Sequence, residues 1–269
     1  MSASISSFAG SVPANYDRYL GPVIFEPYAI DIAGRVAPGQ AARVLELACG
    51  TGRVTNHLLK KIAPDAKLVA TDLNADMISV ARQIVTNPRV EWLVADAQDL
   101  PFGDASFDLI VCQFGVMFFP DKRKAFAEAS RVLVPGGMFL FNVWDDIAAN
   151  PRSEILNQVM SEVMGADAPD FLSKGPYSYF NEDSIRADLE AGGFGNISFE
   201  VVQKTAYYSS VDDIIMGFFE GSPLSAYLTQ QAPELRTILR EKVRDAIVRN
   251  FGEKQILTPM QAIVCTAAK

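Results

Sequence analysis

Three acids, Glu46, Asp72 and Asp96, fall at or near the carboxyl ends of apolar runs that read as β-strands. After the first comes Gly50-Thr51-Gly52, a turn where glycine permits unusual φ/ψ values and, lacking a Cβ, lets a ligand approach the backbone. Carboxylates beside such a turn can accept hydrogen bonds from hydroxyls and amines or attract a cation, and they repel phosphate. The chemistry they could serve is the binding of a small molecule. The single histidine, His57, lies in the helix that follows the turn, where a structural role is expected. Cys49, Cys112 and Cys265 are far apart without CxxC spacing, so neither a disulfide framework nor a zinc site is indicated and buried thiols are expected. No catalytic dyad is visible.

The elements that must position these residues alternate strand and helix with short joints from Arg43 onward, the signal of a parallel sheet covered on both faces. Strand one is read as residues 43–48. The helix after it, residues 52–62, turns Val54, Leu58, Leu59 and Ile62 inward and stops at Pro64. Strand two, residues 67–71, ends at Asp72, and Asn74 caps a helix over residues 75–85. Strand three covers residues 90–95. Strand four, residues 107–112, is apolar almost throughout, as a central parallel strand should be. Asp121 caps a helix reaching Val132, and Pro135-Gly136-Gly137 turns the chain into strand five, residues 138–143. A capped helix over 181–191, strand six over 197–205 and a final strand over 256–267 complete the pattern. The helical segment between the last two strands carries the apolar stripe Leu235, Ile238, Leu239, Val243, Ala246 and Ile247, expected to be core.

At 269 residues and 49% hydrophobic content, one large α/β domain or a domain with an inserted cap fits best. A net charge of −8 and a pI near 4.8 argue against nucleic acid, since Lys60-Lys61 and Lys122-Arg123-Lys124 are too short for a basic stripe and fit solvated helix faces. The N-terminus lacks the pattern of a signal peptide, and no run approaches the about 18 apolar residues of a membrane span, so a cytoplasmic protein is expected. Residues 1–11 are small and polar and are expected to be mobile, whereas residues 16–28, rich in aromatics and punctuated by Pro22 and Pro27, form either a lid or a helix packed on the domain edge. No internal repeat is present, and no oligomeric state is assigned.

Asp72, about twenty residues past the glycines, is placed to accept from ribose hydroxyls of either a nicotinamide dinucleotide or an adenosyl sulfonium. The dinucleotide fingerprint asks for a third glycine or alanine where Gly50-Thr51-Gly52-Arg53-Val54-Thr55 ends in threonine. Glu46 before the turn would repel a pyrophosphate but attract an ammonium and a sulfonium, unless it is only a surface acid at a strand end. S-adenosylmethionine carries both cations and no phosphate.

The run Glu46-Leu47-Ala48-Cys49-Gly50-Thr51-Gly52, the acid Asp72, the segment Asp96-Ala97-Gln98-Asp99-Leu100-Pro101-Phe102, Phe107-Asp108 and Val132-Leu133-Val134-Pro135-Gly136-Gly137 occur in order. Together they resemble the motifs of class I S-adenosylmethionine-dependent methyltransferases, in the small-molecule branch similar to quinone-biosynthesis methylases. The resemblance covers about residues 43–143. It implies a doubly wound, mostly parallel seven-stranded α/β sheet, Rossmann-like, with the last strand antiparallel and helical cap insertions. The pattern of residues divides the chain into an N-terminal helical lid segment (1–40), the cofactor-binding half of the Rossmann-like domain (41–144), an insertion (145–180) and the remainder of the sheet (181–269) with a cap insertion at about 209–252. The resemblance adds residue roles. It also implies that Ala48, Gly50 and Gly52 let the backbone meet the methionine part of S-adenosylmethionine, with Glu46 supporting its ammonium indirectly. Asp72 would hold the ribose, Leu73 and Met77 would pack on the adenine, Asp96 beside Ala97 would accept from its exocyclic amine, and Gln113 would lie near the transferring methyl group.

The methyl acceptor is expected to be a small apolar or aromatic molecule met by Tyr16, Tyr19, Phe114 and Trp144, with Asp145 and the 218–220 stretch nearby, or these aromatics are simply cap core. Tyr16, Asp145 and Glu220 are conceivable bases, and none is assigned. A methyltransferase is favoured over a non-catalytic S-adenosylmethionine binder and over a nicotinamide-dependent oxidoreductase.

Overall fold

The computed structural model describes residues 12–39 and 41–269; the expectation for residues 1–11 falls outside them. In chain order the elements are α1 (Val12–Asn15), a π-helical stretch (Tyr16–Phe25), α2 (Glu26–Gly34), β1 (Arg43–Glu46), α3 (Arg53–Leu58), β2 (Lys67–Asp72), α4 (Ala75–Ile84), β3 (Val90–Val94), β4 (Phe107–Gln113), α5 (Lys122–Val132) and β5 (Leu133–Trp144). Then follow α6 (Pro151–Met164), α7 (Glu182–Ala191), β6 (Gly195–Ser210), α8 (Val211–Phe219), α9 (Leu224–Thr229), α10 (Pro233–Phe251) and β7 (Lys254–Ala268). Residues 16–28 are therefore helical. The chain divides into two units: Tyr28–Trp144, Tyr179–Val202 and Ala262–Lys269 form one, and the chain up to Pro27, Asp145–Ser178 and Gln203–Gln261 form the other.

The first unit is built on the sheet, in the order β3-β2-β1-β4-β5-β7-β6. Pairing is parallel from β3 through β5, and β7 runs antiparallel to β5, as expected. Strand order reverses between β1 and β4, the crevice where open α/β sheets bind ligands. The inner strands are apolar because helices cover both faces: Val44, Leu45, Leu68, Leu109, Ile110, Phe139 and Phe141 are buried. Two caps form as read, Asn74 Oδ1 accepting from the Asp76 and Met77 amides and Asp121 Oδ1 from that of Lys124.

Several boundaries differ from the sequence reading. β1 stops at Glu46 because Ala48 already adopts a left-handed φ of 50°. The helix after the turn ends at Leu58 because Lys60 and Lys61 close three-residue turns on His57 and Leu58. Pro135-Gly136-Gly137 lies inside β5: the register jumps from Phe107↔Leu133 to Leu109↔Met138, and the bulge is tied down by amides exchanged between Gly136, Gly137 and Lys269. β6 and β7 are longer than read and contribute to both units.

The second unit is mainly helical. α6, α8 and α10 pack together, and from the stripe on α10 Leu239, Val243 and Ile247 are buried while Ile238 is 43% exposed, so the buried face is narrower than the stripe. Glu220, after α8, accepts from Arg236 at 2.7 Å and Arg240 at 2.9 Å.

Candidate cofactor site

At the carboxyl end of β1 the chain leaves the sheet without losing its hydrogen bonds. Leu47 N–H donates to Val111 O of β4 and Cys49 N–H to Thr71 O of β2, both at 2.9 Å. The turn is thereby fastened to both neighbours before it reaches Gly50. Gly50 has a φ of +55°, and a Cβ built there would meet no heavy atom within 4 Å, so the backbone faces open space. Gly52, at +81°, is different: its missing Cβ would lie 3.0 Å from Trp92 and 3.3 Å from Ala81. It lets the turn pack on α4 and β3.

Glu46 is not a surface acid. Its side chain is 1% exposed, and Oε2 accepts from the Thr55 hydroxyl at 2.6 Å. Burial pushes its pKa up to about 8, against the downward pull of the Thr55 bonds and with a further upward push from Asp72. Asp72 is also raised, again chiefly by burial, although its oxygens accept from the Gly50 amide at 2.9 Å and the Asn74 amide at 2.8 Å. Asp72 thus clamps the glycine turn to the end of β2. A carboxylate has about four lone-pair sites, so it retains capacity for a ligand's hydroxyls. Two acids share this corner, with Asp72 adding to the cost of ionising the buried Glu46, and a cation would relieve both.

Leu73 beside Asp72 is 40% exposed, and Met77 on α4 is buried. Asp96, in the turn after β3, accepts from the Gln98 amide at 2.8 Å and from the Gln98 side chain; it caps its own turn, with Ala97 buried next to it. Gln113 ends β4, on the other side of the strand-order reversal. Asp108, within the same motif series, serves elsewhere: it accepts from the Ala42 and Arg43 amides and the Arg43 guanidinium, tying down the amino end of β1.

Three contributors were not read from the sequence: Asn142, Gly115 and Tyr28. Phe114 holds a φ of 52°, unusual for an aromatic residue, and the side chain and carbonyl of Asn142 on β5 hold it there, accepting its amide at 2.9 and 3.1 Å. Gly115 follows; a Cβ there would stand 2.5 Å from Ala48 Cβ and 2.7 Å from Cys112 Sγ, so the loop after β4 rests directly on the turn after β1. Tyr28 is wholly buried and donates to Val202 O. The only signals for them in the sequence were a glycine after the Gln-Phe pair, an asparagine inside an apolar strand and one tyrosine among several.

Phe114 and Trp144 stack at 3.9 Å between ring centroids, 11° from parallel, and Tyr28 meets both edge-on at 5.3 and 5.4 Å. These two candidates are brought together, each 5% exposed. Tyr16 and Tyr19 belong to the other unit, partly exposed on the π-helical stretch, where Tyr16 stacks on Phe25 and Arg18 lies over the Tyr19 ring. The three cysteines are buried and free of disulfides, and burial raises the Cys112 and Cys265 thiols to about 12 and Cys49 well above its usual range. None is a nucleophile at neutral pH.

Residues 44–137 match a family described as a methyltransferase domain. The ubiquinone/menaquinone biosynthesis C-methyltransferase of Idiomarina loihiensis is 30% identical over 196 residues, covering 66% of this chain and 74% of that protein. Among solved structures, the YcgJ protein from Bacillus subtilis superposes with a TM-score of 0.59 at 19% identity, over 90% of this chain and 98% of that one. The Haemonchus contortus phosphoethanolamine N-methyltransferase 2 in complex with S-adenosyl-L-methionine has the same fold, with a TM-score of 0.59, 17% identity, and coverage of 99% of this chain and 60% of its own.

Proposed function

We propose that this chain, which belongs to the class I S-adenosylmethionine-dependent methyltransferases, binds its cofactor at the carboxyl ends of β1 to β4 and methylates a small apolar or aromatic molecule. The observation that carries the site is the buried Glu46 with the half-buried Asp72 beside a glycine backed by open space: the acceptor set favours a cation bearing hydroxyls and disfavours a phosphate. When bound, the cofactor supplies an electrophilic methyl group on a sulfonium.

This chain's residues bind and orient. Ala48, Gly50 and Gly52 shape the turn that receives the methionine end, and Glu46, through Thr55 and the turn, offers negative charge to the ammonium. Asp72 accepts from the ribose hydroxyls with the lone pairs that Gly50 and Asn74 leave open. Leu73 and Met77 flank the adenine, and Asp96 with Ala97 receives its amine edge. Gln113, at the end of β4, serves the methyl-donor side in this reading. The acceptor meets an apolar wall in Phe114 and Trp144; such a wall excludes water and aligns the acceptor, the main contributions a protein makes to methyl transfer. Glu220 is spent on two arginines, which argues against its service as a base. No helix among the described residues is long and apolar enough to cross a membrane. Three free, buried thiols support a cytoplasmic setting, and the net charge of −8 supports a partner other than nucleic acid.

Calorimetric titration with S-adenosylhomocysteine and, separately, NADH tests the cofactor, and selective NADH binding overturns the assignment. A methyl-transfer screen over phenols, quinols, amines and carboxylates tests the activity. Quinols come first because the Idiomarina relative is named for ubiquinone and menaquinone biosynthesis. Cofactor binding with no transfer to any acceptor class would leave a binding protein in its place.

A further inference from the structure

The second unit holds a buried cation without a counter-ion among the described residues. Arg152, on the first turn of α6, is 7% exposed and makes no ion pair among the described residues, and its Nη1 is fully enclosed with no acceptor in hydrogen-bond reach. Its guanidinium lies over the Phe218 ring at 4.5 Å and near the Tyr208 ring at 5.9 Å. The Tyr208 hydroxyl is likewise buried without a partner, while the Tyr177 hydroxyl donates to Ser153 Oγ at 2.8 Å. Burial raises the pKa of both tyrosines, and the nearby charge of Arg152 works against that rise at both. Asp213, whose field reaches Tyr208, is held by the Ser210 amide and hydroxyl in the cap of α8. The first turn of a helix is a further positive field, so α6 adds to the imbalance.

A lone buried guanidinium costs more than ring faces return, and enclosed donors without acceptors add to that cost. Two such donors, Arg152 Nη1 and the Tyr208 hydroxyl, occur around one aromatic-lined position, which is the donor set for a flat anion. We propose that Arg152 and Tyr208, floored by Phe218 and with Tyr177 alongside, form a subsite for a planar oxyanion, a carboxylate or a phenolate, carried on an apolar small molecule. The guanidinium fork matches two coplanar oxygens, or one oxygen shared with the tyrosine hydroxyl. That this molecule is the methyl acceptor rests on the function proposed above; the oxyanion site does not.

The test uses the full chain with benzoate, 4-nitrophenolate and the neutral benzyl alcohol as probes, on wild type, R152M and R152K. Wild type should bind benzoate or 4-nitrophenolate at least tenfold more tightly than benzyl alcohol in calorimetry, and the tighter of the two anions identifies the group. R152M should weaken that anion about 10- to 100-fold, the range expected for lost hydrogen bonds to a charge, while its melting temperature without ligand equals or exceeds that of wild type, because an unpaired buried charge has gone. R152K, which keeps charge but not the fork, should fall between them and decides the matter if R152M does not fold. Equal affinity for anions and benzyl alcohol, or anion affinity unchanged in R152M or R152K, overturns the proposal, and a lowered R152M melting temperature with no anion preference makes Arg152 a structural prop. S-adenosylhomocysteine is titrated alongside: its failure to bind wild type sinks the methyltransferase reading without touching the anion result.

Discussion

Glu46→Gln tests the electrostatics of the cofactor corner with two readouts from one substitution. The carboxyl has an ordinary pKa of 4.5 and rises to about 8 in the fold, chiefly through burial. Below pH 4.5 it is protonated in both folded and unfolded chains and costs nothing. As pH rises from there toward 8, the unfolded chain releases the proton while the folded one keeps it, so stability from this group falls across that window and is flat above it. Between pH 5 and pH 7 the loss is roughly 2–3 kcal/mol, from about 1.4 kcal/mol per pH unit after allowing for partial titration at the lower end. Glutamine keeps the acceptor for Thr55 and cannot titrate. Urea unfolding of wild type and Glu46→Gln at pH 5, 6, 7 and 8 should therefore show a stability difference that grows in favour of the variant by that amount, other titrating groups cancelling in the comparison. The same pKa leaves Glu46 about nine-tenths protonated at pH 7 in the unliganded protein. A ligand ammonium nearby makes it ionise, so S-adenosylhomocysteine binding should release close to one proton, read from the dependence of the calorimetric enthalpy on buffer ionisation heat. The variant should release none from this site. A pH-independent difference together with no proton release in wild type would refute the reasoning.

Asp72→Ala removes the acceptor for the Gly50 and Asn74 amides as well as the proposed ribose contact. S-adenosylhomocysteine affinity should fall about 10- to 100-fold while the far-ultraviolet spectrum is kept; unchanged affinity would place the ribose elsewhere. Gly115→Ala forces a Cβ to within 2.5 Å of Ala48 and should cost about 1–3 kcal/mol in urea unfolding, with weaker cofactor binding because the turn after β1 must shift. A variant as stable as wild type would mean that the loop gives way freely.

Local chemistry made much of this molecule legible. The order of strands and helices, the Asn74 and Asp121 caps and the acids at strand ends follow from periodicity and capping, which depend on neighbours a few residues apart. The glycine turn was readable for the same reason. The bulge in β5 was not, because it needs a residue far along the chain: Lys269 exchanges hydrogen bonds with Gly136 and Gly137, in a stretch that reads as a plain turn. Nor was the support of Phe114 by Asn142, 28 residues away.

Residue types and spacing carry the information that a sheet end with three acids and a glycine turn suits a small ligand. What those acids become in the folded protein depends on packing. Burial turned Glu46 from a charge into a group held near neutrality, and Asp72 from a free acceptor into a clamp on the turn. It also left Arg152, one arginine among many in the sequence, enclosed without a counter-ion among the described residues. Desolvation depends on everything packed around a group, and no stretch of sequence contains that sum.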